Sequence, residues 1–138
     1  MTRAIRNNNP LNIRYSKSNY WIGKLHTTDP EFEQFESMEL GFRAAILLMQ
    51  RYIADYKLNT IEKIVTRWAP PSENNTKGYI QCVCRDTRLG GREVIPFDSA
   101  QLKAIIWSMA HVEAGVEIDQ YKDDFNRAWD LYRKRPKS

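Results

Sequence analysis

The sequence predicts a mostly helical α+β domain with a small β-hairpin near its start. Three observations carry that reading. Apolar residues recur at intervals of three and four in five segments, each opened by a capping-type polar residue. Strand-like pieces are confined to residues 19–35. The chain has 138 residues, 42% hydrophobic and 28% charged, which suits one folded core and argues against disorder.

Arg6-Asn7-Asn8-Asn9-Pro10 is a turn cluster. Asparagine tolerates left-handed backbone and its amide bonds nearby main chain, so three in a row read as a tight, locally hydrogen-bonded loop. Asn9 precedes a proline and should be extended, as should the run from Leu11 to Tyr15. Between residues 19 and 35, Tyr20-Trp21-Ile22 and Phe32 to Phe35 are the strands of an irregular hairpin, with Gly23 and Asp29-Pro30 as turns. Ser37 caps a long helix to about Tyr56, with Glu39 in its first turn, where an anion suits the helix dipole. Ala45, Leu48, Met49, Tyr52 and Tyr56 form one face of it, and Phe42, Ile46 and Ile53 broaden that face enough to bury it.

Asn59 or Thr60 caps a shorter helix, Ile61 to Trp68, which Pro70-Pro71 ends. A polar loop follows. Asn75 or Thr76 then caps a helix holding Tyr79, Ile80 and Val83, and Leu89-Gly90-Gly91 breaks it. Asp98 or Ser99 starts the next helix, which Gly115 stops. Asp119 or Gln120 opens the last one, where Tyr121, Phe125, Ala128, Trp129 and Tyr132 recur at helical spacing.

Several function classes fall away. The longest apolar run, Ala44 to Met49, is too short to span a bilayer, so no membrane partner is expected. The stretch from Met1 to Arg6 lacks the apolar centre of a secretory signal, so action outside the cytoplasm would need another route. Cys82 and Cys84 lie two apart on a predicted helix, point to nearly opposite sides and are not expected to bridge; two ligands alone make no zinc site. His26 and His111 are too few for a histidine-rich metal site, and Gly90-Gly91 lacks the spacing and lysine of a phosphate loop. No metal or cofactor is expected. The net charge of +4 and the basic tail from Arg133 to Lys137 favour polyanions only weakly; nucleic acid is the least favoured partner, and the tail reads as a solvated terminus.

The chemistry concentrates at one carboxylate. Leu102, Ile106 and Met109 are spaced four and three apart, and the next step of four lands on Glu113. An acid that ends a buried stripe is desolvated, which raises its pKa and lets it donate a proton near neutrality. The plain alternative is a helix-end glutamate paired with a lysine or arginine. The remaining aromatic and amide residues are those of a carbohydrate site: ring faces for sugars, Asn and Ser for hydroxyl and N-acetyl groups.

A resemblance sharpens this. Asn8-Asn9-Pro10-Leu11-Asn12-Ile13-Arg14, Trp21-x-Gly23 and Phe32-x-x-Phe35-Glu36-Ser37-x-Glu39-x-Gly41 resemble a family of bacteriophage and prophage proteins, described as virion structural proteins with a lysozyme-like region. Trp68-Ala69-Pro70-Pro71-Ser72-Glu73-Asn74-Asn75-Thr76-x-x-Tyr79-Ile80 resembles the second landmark of that family. More loosely, Asn9 to Arg14 is similar to the Asn-Leu-Phe-Gly-Ile-Lys motif of flagellar-type glucosaminidases. Asn12 stands at the glycine of that motif, which a left-handed backbone tolerates. The segment 68–83 is similar to the end of lytic transglycosylase domains, where a tyrosine follows a polar cleft loop.

In those enzymes the catalytic glutamate ends a helix that precedes the other motifs. Here no glutamate precedes Glu31, and Met109 to Gly115 looks like that helix moved to the C-terminal side. The resemblance therefore implies a single lysozyme-like domain over residues 1–138, circularly permuted, with Glu113 facing the loops at Asn9–Tyr15 and Ser72–Asn75. Glu113 would be the general acid, and Tyr79 and Glu73 would orient it or the substrate. Glu36, Glu39 and Glu73 are the candidates for a second carboxylate. Asn12 and Asn74 would hold an N-acetyl group, Trp21 or Trp68 would stack on a sugar, and Tyr15 and Ser72 complete the substrate-binding set.

The implied function is a peptidoglycan-cleaving glycosidase: a muramidase, a glucosaminidase or a lytic transglycosylase. The alternative is a non-catalytic virion structural or cell-wall-binding protein of the same fold. Its partners would be glycan strands and other virion proteins. Its place would be the phage virion, or the bacterial cytoplasm before release, with action at the wall.

Overall fold

The computed structural model describes residues 1–26 and 28–133. Six α-helices carry it: α1 (Arg3–Arg6), α2 (Met38–Ala54), α3 (Ile61–Trp68), α4 (Thr76–Thr87), α5 (Ala100–Ala114) and α6 (Lys122–Tyr132), with a 3₁₀ helix, Val116–Tyr121, before the last. The chain gathers into two compact units. The first is Met1–Leu47 with the residues from Glu113 onward; the second is Leu48–Val112. Among the described residues no helix is long and apolar enough to cross a membrane. Beyond Arg133 the basic tail lies outside the described residues.

In the first unit the asparagine cluster works as a hub. Asn9 is fully buried; its Oδ1 accepts from Ile13 N at 2.9 Å, and its Nδ2 donates to Ile13 O and Glu33 O, both at 3.0 Å. Asn7 Nδ2 donates to Asp29 at 2.9 Å and Asn8 Nδ2 to Phe35 O at 3.1 Å. The amides therefore tie the N-terminal loop to the segment 29–35. Ahead of them, Thr2 caps α1, accepting from Ile5 N. The sequence reading did not anticipate this helix: four residues are too few to show a period.

The expected hairpin does not form. Among the described residues the extended segment Phe32 to Phe35 makes two isolated antiparallel bridges, Arg14 with Phe32 and Lys24 with Phe35. Tyr20-Trp21-Ile22 is not a strand, and Tyr20 and Ile22 are exposed. Two forces shift the partner onwards to Lys24. Gly23 takes a positive φ of 82°, closing a turn in which Lys24 N donates to Trp21 O at 3.1 Å. Lys24 Nζ is also drawn to 3.2 Å from the buried Glu33 carboxylate. The described residues are thus mostly helical with almost no strand.

Ser37 caps α2, its hydroxyl accepting from Leu40 N at 3.2 Å. Gly41 sits where the Asn8–Pro10 loop presses onto this helix: a Cβ there would lie 2.0 Å from Asn8 O. Phe42 meets Phe125 of α6 with ring centroids 4.9 Å apart, and Arg127 of α6 bonds both Glu39 and Asp124.

In the second unit each expected cap is occupied. Thr60 accepts from Lys63 N, Asn75 from Gly78 N and Ser99 from Leu102 N. Thr76 Oγ1 donates to Ala69 O, joining α4 back to the end of α3. Gln50 and Asp98 exchange two hydrogen bonds, 2.8 and 3.0 Å, which place the start of α5. Along α5, Leu102, Ile106 and Met109 are fully buried, as the stripe requires.

Candidate functional site

Glu113 is the next residue on that stripe, one short of the end of α5, and it is half-buried. The helix stops because Gly115 turns away at φ 80°. Thr2 Oγ1 donates to Ala114 O at 2.8 Å, so the N-terminal segment satisfies one of the terminal carbonyls that a helix leaves open.

Asn12 Nδ2 donates to Glu113 Oε1 at 2.9 Å, across 101 residues of sequence. The backbone of Asn12 is left-handed, φ 55°, and its N–H donates to Asn9 O at 3.0 Å. That conformation suits asparagine and glycine above other residues. The loop therefore aims the amide with its own backbone, and the carboxylate is met by a neutral donor of fixed direction. Asn12 Oδ1 is buried and has no hydrogen-bond partner among the described residues.

No family model matches the chain. It is similar to Protein P5 of Pseudoalteromonas phage PM2, with 34% identity over 136 residues, covering 94% of this chain and 82% of that protein. The chain belongs to the family of that phage protein. The bacteriophage affiliation expected from the sequence motifs thus holds.

Within this phage-family chain the other expected residues divide between the units. Tyr15 and Trp21 line one concavity of the first unit, of about 520 Å³. Trp68, Ser72, Glu73, Asn74 and Tyr79 belong to the second. Trp68 packs edge-on to Tyr52 at 6.3 Å and Tyr79 is buried, so both are part of that unit's packing. Ser72, Glu73 and Asn74 are exposed in the turn before α4, where Glu73 N donates to Pro70 O at 3.0 Å and Asn74 Nδ2 to the same oxygen at 3.2 Å. Glu36 is exposed, and Glu39 is held by Arg127 at 2.6 Å. Cys82 and Cys84 are both free thiols.

Two groups escaped the sequence reading. Glu33 is fully buried; its Oε2 accepts from Ser16 N at 3.3 Å and lies 3.2 Å from Lys24 Nζ. The signal was available, because Glu33 is two residues before the core residue Phe35, and an extended chain puts such pairs on one side. Asp29 is the other. The Arg3 guanidinium grips it at 2.6 and 2.7 Å, and that, with Asn7 and the N–H groups of Glu31 and Phe32, holds its carboxyl well below the usual carboxylate range.

Proposed function

We propose that this phage-family protein cleaves the glycan strands of peptidoglycan, with Glu113 as general acid. The observation that carries the reading is the Asn12–Glu113 contact. It joins the Asn-Pro-Leu-Asn-Ile-Arg loop to the acid at a helix end, the pairing that the resemblance to glucosaminidases and lytic transglycosylases implies. A permuted lysozyme-like arrangement accounts for a catalytic helix that follows the loop in sequence. In the reaction the protonated carboxyl of Glu113 gives its proton to the leaving glycosidic oxygen, while Asn12 fixes its orientation. Of the candidates for a second carboxylate, Glu39 is paired with Arg127, and Glu36 and Glu73 are exposed to solvent. That favours chemistry with one acid: once Glu113 has given its proton to the leaving oxygen, its carboxylate takes the proton of a substrate hydroxyl as that oxygen bonds to the anomeric carbon, and the product is an internal anhydro sugar.

A wall-binding protein without turnover is the second reading. The concavity at Tyr15 and Trp21 favours it, since among the described residues its lining holds rings and lysines and no acid.

The test compares wild type with Glu113→Gln on purified, dye-labelled sacculi, with circular dichroism confirming the fold. Release should fall roughly 100-fold or more, in keeping with loss of a general acid. Fragments lighter by one water than hydrolysis products would identify the transglycosylase. Full release by E113Q would overturn the assignment, and a wild type that binds sacculi without releasing dye would establish the second reading.

A further inference from the structure

Residues 15–26 form an excursion that a single lysine closes on itself. Lys24 Nζ donates to Ser16 O at 2.8 Å and to Asn19 O at 2.9 Å, and lies 4.6 Å from the centre of the Tyr15 ring. Its third polar partner is Glu33, whose carboxylate is wholly buried and so attracts the ammonium with little screening. One cation therefore fixes the loop backbone at two points and one face of an aromatic ring. The wall so made is preorganised, and a ligand that meets it has little ordering entropy to overcome.

The concavity along that wall, about 520 Å³, lies in the size range of small-ligand sites. Tyr15, Tyr20, Trp21 and His26 bring rings to it; Lys17 and Lys24 bring cations, and among the described residues no carboxylate lines it. Lys24 is neutralised by Glu33 from behind. Lys17 is exposed and leaves the lining with a positive charge. Tyr20 is 89% exposed, an aromatic face offered to solvent rather than to the core. Rings with one cation and no arginine fork suit a sugar bearing a carboxylate better than a phosphate.

We propose that this concavity is a binding subsite for an acidic glycan: a sugar ring lies on the aromatic side chains and a carboxylate that the glycan carries meets Lys17. The identity of that saccharide rests on the peptidoglycan reading above, which makes it a muropeptide whose stem carries carboxylates. The subsite itself needs nothing from Glu113.

The experiment uses the full chain carrying Glu113→Gln, so that bound glycan is not consumed. Calorimetric titration with a soluble disaccharide-tetrapeptide is compared with a neutral chitooligosaccharide and a sugar phosphate, at low and high salt. The acidic muropeptide should bind saturably and roughly threefold to fivefold tighter than the neutral glycan, the range open to an exposed ion pair. Lys17→Ala, at an exposed position that cannot unfold the chain, should bring the two to equal affinity, as should high salt. Trp21→Ala should weaken both, roughly threefold to tenfold.

Equal binding of acidic and neutral glycans by the Lys17 protein, or tighter binding of the sugar phosphate, would overturn the subsite. So would a Lys17→Ala variant that keeps the preference. The outcomes separate the two proposals: binding that follows Lys17 in a wild type unable to cleave refutes the acid and keeps the subsite. Cleavage lost in E113Q with no preference for the acidic glycan does the reverse.

Discussion

Asn12 has two separable roles, and substitution can pull them apart. Its side chain donates to Glu113 at 2.9 Å, and its backbone holds a left-handed conformation at φ 55°. Asn12→Gly removes the amide but keeps the conformation; Asn12→Ala removes the amide and leaves a Cβ there without the short polar group that lets asparagine adopt left-handed backbone. A hydrogen bond to a charged group contributes about 1.5–3 kcal/mol, and the half-buried setting places this one at the lower end. Left-handed backbone costs alanine about 1–2 kcal/mol, whereas glycine carries only the larger entropy of its unfolded chain, about 0.5–1 kcal/mol. The expected losses are then about 2–2.5 kcal/mol for the glycine variant and about 2.5–3.5 kcal/mol for the alanine variant. In a chain of this size each kcal/mol moves the midpoint by about 3–5 °C. Thermal and urea unfolding should therefore rank the wild type above N12G and N12G above N12A, whereas sacculus cleavage should fall alike in both variants, since both lack the donor. Equal stability of the two variants would refute the backbone argument. Unchanged cleavage in both would remove Asn12 from the site.

Two further perturbations test the scaffold. Gly41→Ala gains about 1 kcal/mol of helix propensity, but the new Cβ meets a backbone carbonyl at 2.0 Å, an overpacking that costs about 1–3 kcal/mol or more when the obstacle is main chain. The variant should unfold several degrees lower by circular dichroism, and a variant as stable as wild type would show that the loop yields freely. The Asp29 carboxyl is held low by Arg3, so the stability it contributes is complete above the ordinary carboxylate range near pH 4. It is lost as pH falls from there through the folded value. Arg3 is 37% exposed, so solvent screens part of the effect. Urea midpoints measured from pH 6 down to pH 3 should fall less steeply in Asp29→Asn than in wild type; parallel acid limbs would contradict the assignment.

What the sequence could reveal follows the range of each interaction. The caps at Thr60, Asn75 and Ser99 were readable because each is a bond to a backbone N–H three residues on. The stripe ending in Glu113 was readable from periodicity; Asn12 reads as part of an extended run, whereas its backbone is left-handed, the conformation that would let it stand at the glycine of the glucosaminidase motif. The hairpin was misread because aromatic and branched residues at Tyr20-Trp21-Ile22 carry strand propensity, while the register was decided by an ion pair between Lys24 and Glu33 that propensity does not contain. Glu33 escaped for the same reason. A glutamate beside phenylalanines reads as the solvent side of a strand, until its spacing from Phe35 is weighed instead of its charge.

The position of the acid is settled less by α5 than by the first twelve residues. A helix end is free to fray, since its last carbonyls have no partner within the helix. Here Thr2 bonds the Ala114 carbonyl at 2.8 Å and Asn12 bonds the Glu113 carboxylate at 2.9 Å, on either side of the point where Gly115 redirects the chain. Thr2 restrains the main chain and Asn12 the side chain, so the translation and the torsion of one carboxyl are controlled by separate residues. Closing a loop of about a hundred residues costs roughly 3 kcal/mol more than closing one of four, since loop entropy grows with the logarithm of length. A sequence-distant clamp therefore depends on the rest of the fold having brought its ends together. It also makes the reach of Glu113 depend on the N-terminal loop being folded, which is why substitutions at Asn12 and at Gly41, where that loop rests on α2, bear on the same site.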